Sequence, residues 1–119
     1  MAGQSRGRSP RTGTFIVFEG IDGSGKTTQA RRLFRSLQAT GVDALFTREP
    51  TDGPWGTRLR EVARGVRGGV TAGEQVEWLL NDREEHVRKT IRPGLEAGKI
   101  VVCDRYYYST MAYQGAAGE

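Results

Sequence analysis

Gly20, Gly23, Gly25, Lys26 and Thr27 stand within the stretch FEGIDGSGKTT at the spacing G-x-x-x-x-G-K-[ST], with no mismatch. Glycines this dense let the backbone turn tightly and aim successive N–H groups at one point. Such donors, backed by the positive end of a following helix, bind phosphate oxygens. Lys26 is placed to reach β- and γ-phosphates, and the Thr27 hydroxyl suits a Mg²⁺ ion. Ile21, Asp22, Ser24 and Thr28 complete the loop as a nucleotide-phosphate cradle. The pattern carries this meaning only where a strand precedes it and a helix follows.

A second group of reactive side chains lies further on. Asp104 closes the apolar run KIVVC. An acid at that place holds Mg²⁺ directly or through water; the alternative is a turn cap. Arg105 follows it, and an arginine at a strand end beside an anion site suits phosphate recognition. Arg83 projects from a helical stripe, either for the same use or with its head in water at the stripe's edge. Arg48 and Glu49 are adjacent, and one reading makes them a local ion pair that shapes their loop. Tyr106, Tyr107, Tyr108 and Tyr113 divide between packing and pocket lining. His86, the single histidine, sits beside Glu84 and Glu85 and reads as solvated. Trp55 and Trp78 read as packing residues, and Cys103 as core.

The elements that must position these residues follow from periodicity. Thr14–Glu19, TFIVFE, is an apolar, β-branched run that reads as a buried strand. Ala30, Leu33, Phe34 and Leu37 then repeat at helical spacing, and Gly41 can end that helix. Val42–Thr47 is a second strand, and Arg48–Gly56 a loop broken by two prolines and two glycines. Leu59, Val62, Ala63 and Val66 again give one helical face. Thr71 and Glu74 form a capping box that opens a longer helix, with Val76, Leu79, Leu80, Arg83 and Val87 along one side. Pro93 kinks or restarts that helix and Gly98 closes it. Lys99–Cys103 is a third strand, followed by a loop. Strands alternating with helices imply a parallel sheet covered on both faces, with ligands bound beyond the carboxyl ends of the strands. GIDGSGKTT, REPTDG and DRYYYST are the segments that fall there.

Bulk properties narrow the class. The chain has 119 residues, 36% hydrophobic and 27% charged, a globular profile of one domain. Of the net charge of +4, three units sit in residues 1–11 on Arg6, Arg8 and Arg11, with no acid among them. The basic signal therefore belongs to a polar tail over residues 1–13, read as solvated and disordered, and not to a nucleic-acid surface. No segment has the apolar length of a membrane span. One cysteine excludes an intrachain disulfide, and the cytoplasm is the default location. No D-x-x-G follows the third strand and no N-K-x-D occurs, which argues against a switch GTPase.

FEGIDGSGKTTQ, TREPTDGPWG, NDR and DRYYYSTMAYQG, in that order, resemble the thymidylate kinases, a family of P-loop nucleoside monophosphate kinases, over residues 14–119. The resemblance implies a P-loop NTPase-like three-layer α/β/α fold, with residues 14–119 its N-terminal part and the sheet incomplete at the C-terminus. It implies transfer of the γ-phosphate of ATP to dTMP with Mg²⁺, in the supply of dTTP. Lys26, Arg105 and Asp104 would be catalytic, and Thr27 and Asp104 would hold the metal. Asp22 would lie near the acceptor's sugar, Arg83 and Arg105 would hold its phosphate, and Arg48 would orient the phosphate-side loop. Ser109 and Thr110 would sit by the thymine edge, and Tyr113 would pack on the deoxyribose. Leu79 stands where many members carry a thymine-stacking phenylalanine, with Trp78 beside it. Gly23 stands where one branch has an arginine, so the catalytic basic residues would lie in a lid outside residues 1–119, leaving this stretch weakly active by itself. ATP and dTMP are the implied partners, with a homodimer possible and neither nucleic acid nor membrane involved. The rival readings are a P-loop kinase for another nucleotide or nucleoside, and a nucleotide-binding module without turnover.

Overall fold

The computed structural model describes residues 12–21 and 26–107, with the side chains of Ile21, Lys26, Thr27 and Tyr107 outside that description. Its elements are strand β1 (Thr14–Ile21), helix α1 (Lys26–Ala39), β2 (Ala44–Glu49), α2 (Pro54–Ala63), α3 (Ala72–His86), a π-helical segment (Val87–Ile91), α4 (Arg92–Glu96) and β3 (Ile100–Tyr107). The strands form one sheet of order β1-β3-β2, with both pairings parallel.

Register divides the side chains between two faces, because successive residues of a strand point to opposite sides. Ile16, Val102 and Phe46 align on one face, followed by Phe18, Asp104 and Arg48. Helix α1 covers this face: Phe34 meets Phe46 with ring centroids 5.6 Å apart, and the Arg31 guanidinium lies over the Phe46 ring. Val101 and Leu45 align on the other face, followed by Cys103 with Thr47 and by Glu19, Arg105 and Glu49. The α3–α4 run covers it. Gly94 packs against the sheet, where an added Cβ would stand 3.0 Å from Val101 Cγ2 and 3.2 Å from Leu45 Cδ2, so those side chains would have to give by a few tenths of an ångström. The three-layer α/β/α arrangement expected from the sequence is therefore present.

Several local expectations shift. β3, third in sequence, is the central strand of the three; Val101, Val102 and Cys103 are fully buried, and β1 has a paired strand on one side only among the described residues. β3 also runs on to Tyr107, since Asp104, Arg105 and Tyr106 still pair with Phe18, Glu19 and Gly20. β2 is displaced two residues toward the C-terminus for the same reason, pairing Arg48 and Glu49 with Asp104 and Arg105. α2 starts at Pro54, inside the segment read as loop, because proline's fixed φ and missing N–H suit a first helical turn. Val66 lies beyond α2 and is 74% exposed. α1 ends near Gly41, whose φ of +82° favours glycine.

The largest correction concerns α3. The capping box forms as read: Glu74 N donates to Thr71 Oγ1 at 3.1 Å, and Thr71 N to Glu74 Oε1 at 2.9 Å. The buried stripe, however, is turned by one residue. Gln75, Asp82 and His86 are buried, while Val76 is 44% and Leu80 62% exposed. Past His86 the π-helical turns carry the chain to Pro93 in the first turn of α4. A widened turn accommodates a ring that has no N–H to give the preceding helix.

Candidate active site

The phosphate-loop motif has the context it requires. β1 ends with Gly20 and Ile21, and α1 opens at Lys26, Thr27 and Thr28. The first turn of α1 carries no acid, so nothing there offsets the positive end of the helix dipole. Asp22, Gly23, Ser24 and Gly25 lie outside the described residues, as do Ser109, Thr110 and Tyr113.

Asp104 faces the α1 side of the sheet, the side on which the helix that follows the loop packs. It is buried, and its Oδ1 has no hydrogen-bond partner among the described residues. A buried carboxylate oxygen without a donor calls for a cation or a water. An oxygen donor of this kind fits Mg²⁺, which takes one or two carboxylates and completes its shell with phosphates and water. No group of three or more acidic, histidine or cysteine side chains that could form a fuller metal cage occurs among the described residues.

Arg105, the next residue, faces the opposite side. There the register places Glu19, Arg105 and Glu49 side by side, and α3 brings Arg83 above them. Arg83 donates from Nε and Nη2 to Glu49 Oε1, at 3.0 and 2.9 Å. Arg105 Nε stands 3.3 Å from the same oxygen, and its Nη1 donates to Glu19 Oε2 at 3.3 Å. One buried carboxylate thus gathers two guanidinium groups. Leu79, Pro50, Asp82 and Tyr106 close a small cleft around them. Burial alone would raise the Glu49 pKa. The hydrogen bonds from His86 and Arg83, with their charge, outweigh it and hold Glu49 below the usual carboxylate range.

The loop after β2 is fixed from α3 and α2. Asp82 accepts from Thr51 N at 2.9 Å and from Thr51 Oγ1 at 2.6 Å, and Gly53 N donates to that hydroxyl at 3.0 Å. Arg60 Nη1 donates to the carbonyls of Pro50 and Thr51 at 3.1 and 2.8 Å. The Glu49–Pro50 peptide is cis.

Of the residues singled out in the sequence, Leu79, Arg83 and Arg105 meet in one cleft. Arg48 does not join them: it lies on the α1 side and pairs with Asp52, not with its neighbour Glu49. Adjacent residues of a strand cannot share a face, which excludes the local ion pair. Trp78 turns toward α2, where the Arg58 guanidinium lies between it and Trp55, at 5.6 and 4.7 Å from the two ring centroids. Leu79, and not Trp78, therefore lines the cleft. His86 is the plainest correction. It is 3% exposed, with Nδ1 2.7 Å from Glu49 Oε2 and Nε2 2.6 Å from Thr47 Oγ1. Its two acidic sequence neighbours point elsewhere; Glu84 and Glu85 pair with Arg88 and Lys89. Glu49, Asp82 and Thr51 were not read as members of the site. The available signal was spacing: Leu79, Arg83 and His86 recur at four and three residues, one side of a helix.

A family model described as thymidylate kinase matches residues 18–119. The thymidylate kinase of Desulfotalea psychrophila is 50% identical over 110 residues, 92% of this chain and 54% of that protein. That of Xanthomonas oryzae pv. oryzae is 53% identical over 106 residues, 89% of this chain and 46% of that protein. Among solved structures, thymidylate kinase from Ehrlichia chaffeensis superposes with a TM-score of 0.70 at 40% identity, covering 87% of this chain and 60% of that one. The Candida albicans enzyme superposes with a TM-score of 0.66 at 25% identity, covering 80% and 40%. The chain spans about half the length of the curated relatives it matches.

Proposed function

Since the chain belongs to the thymidylate kinase family, we propose that it serves the transfer of the γ-phosphate of ATP to dTMP, giving dTDP. The observation that carries this reading is the pair of arginines gathered by Glu49 on one side of the sheet, with Asp104 on the side of α1. Donor and acceptor phosphates would approach the strand ends from those two sides.

In this mechanism the protein positions charge and performs no covalent chemistry. Lys26 and the loop N–H groups hold the ATP phosphates. Arg83 and Arg105 hold the acceptor phosphate, whose own oxygen is the nucleophile, so no protein base is required. Glu49 Oε1 hydrogen-bonds Arg83 and attracts Arg105 by charge, with Arg105 Nε 3.3 Å away and not hydrogen-bonded. Glu19, the second partner of Arg105, is largely exposed and screened by water. Leu79 offers the base a dispersion contact without a π-face. Mg²⁺ held by Thr27 and Asp104 would neutralise charge on the transferring phosphate. The reading brings with it a cytoplasmic location and, as protein partner, a second copy docked at the exposed Val76 and Leu80 of α3.

The test is steady-state dTDP formation by the purified protein. Lys26→Ala should abolish turnover. Arg105→Ala should raise KM for dTMP about tenfold or more and leave KM for ATP unchanged, since a charge-assisted hydrogen bond contributes about 1.5–3 kcal/mol. A preference for another monophosphate in a side-by-side panel would favour a related kinase. Tight nucleotide binding with no product would favour a module without turnover. Sedimentation as a monomer at all concentrations would remove the second copy.

A further inference from the structure

His86 is buried on the α3 side of the sheet, and what it touches there is Glu49 and Thr47. From this geometry we infer that His86 is a positioning residue of the acceptor-phosphate site, acting through Glu49 on Arg83 and Arg105. The inference rests on the function proposed above and names a part of that site which the motifs leave out.

The chain of contacts is continuous. Glu49 is ionised, so both its oxygens only accept. His86 Nδ1, 2.7 Å from Oε2, therefore carries a hydrogen and donates it. Nε2 lies 2.6 Å from the Thr47 hydroxyl, so the second ring nitrogen is paired as well. With Oε2 occupied by His86, Oε1 is turned to Arg83 and Arg105. Three elements are tied by this relay: Thr47 and Glu49 belong to β2, Arg105 to β3, and Arg83 and His86 to α3. Without the donor at Nδ1, the Glu49 carboxylate is free to rotate about its last torsion, and the arginines lose their common reference point. Both ring nitrogens of this buried side chain are paired, and one of the two partners is the carboxylate that holds the acceptor-side arginines.

Two substitutions separate the roles of the ring nitrogens. The amide nitrogen of asparagine stands as many bonds from Cα as Nδ1, and that of glutamine as many as Nε2. His86→Asn keeps a donor for Glu49 and gives up Thr47; His86→Gln does the reverse. Each loses one hydrogen bond, so a merely structural role would lower the thermal midpoint and the kinetics of both alike. The expected result is that His86→Gln raises KM for dTMP about tenfold with KM for ATP unchanged. His86→Asn should return it to within about threefold of the parent protein. Equal effects of the two on dTMP, or an effect confined to ATP, would overturn the inference. A second readout needs no substrate. The Arg83 Nε–H resonance should stay sharp and slowly exchanging in the parent protein and His86→Asn, and broaden in His86→Gln. If the parent protein forms no dTDP, the proposed function falls and this resonance alone decides for or against the positioning role. Should both His86 variants fail to fold, Thr47→Val approaches the relay from its other end. It should raise KM for dTMP and not for ATP, and an unchanged dTMP value would refute the relay.

Discussion

Replacing Asp82 with alanine tests the polar anchor that holds the loop after β2. Asp82 is 1% exposed and accepts both from the Thr51 N–H and from the Thr51 hydroxyl. Hydrogen bonds to an ionised group contribute about 1.5–3 kcal/mol each, so losing two costs about 3–6 kcal/mol. Relief of the carboxylate's own desolvation offsets part of this, leaving a loss of about 2–4 kcal/mol. At about 4–8 °C per kcal/mol for a domain of this size, the midpoint should fall by about 8 °C or more. Thr51→Val removes the hydroxyl and keeps the N–H, so it should fall by less. Because the two residues share a bond, their effects should not add: the double variant should be less destabilised than the sum, by about 1 kcal/mol or more. The assay is thermal unfolding followed by circular dichroism on the parent, the two single variants and the double. A midpoint for Asp82→Ala within about 2 °C of the parent would refute the reasoning, because a buried carboxylate with two real partners cannot be deleted at so small a cost.

Two further outcomes follow from burial. Leu59→Ala should destabilise by about 2–5 kcal/mol, since Leu59 is fully buried, whereas Val66→Ala at its exposed site should stay within about 0.5 kcal/mol; parallel urea titrations compare them, and equal losses would contradict the placement of Val66 outside α2. Burial, and then the nearby charge of Glu49, pushes the Cys103 thiol up from 9.0 to about 12. Its contribution to stability is complete below pH 9.0 and is lost as pH rises toward about 12, because the unfolded thiol ionises first. Iodoacetamide near neutral pH should leave Cys103 unmodified in the folded protein and label it after unfolding, as read by mass spectrometry; rapid labelling of the native protein would contradict this burial.

The phosphate loop was legible in the sequence because its chemistry is local: glycines, lysine and threonine act within one turn, and the flanking apolar run and helical repeat state their context. The alternation of strands and helices, and hence the parallel layered fold, was legible for a similar reason, since each element's period is written in its own residues. The pairing of Arg83 with Arg105 near the acceptor came from the resemblance, and the structure brings both to Glu49. What the sequence left undetermined is which neighbours each face would meet. Val76 and Leu80 look like the core of α3 by hydropathy, yet Asp82 and His86 are buried while those two are exposed, because the buried side meets Thr51, Glu49 and Thr47, whose polar groups need partners. Arg48 and Glu49 look like partners by adjacency, yet the strand's pleat sends them to opposite faces. Strand order was hidden as well, because it is decided by how the crossovers pack and not by any one strand's composition. β3, the last of the described strands, lies between the other two, and that position gives Asp104 and Arg105, on its opposite faces, neighbours from both β1 and β2.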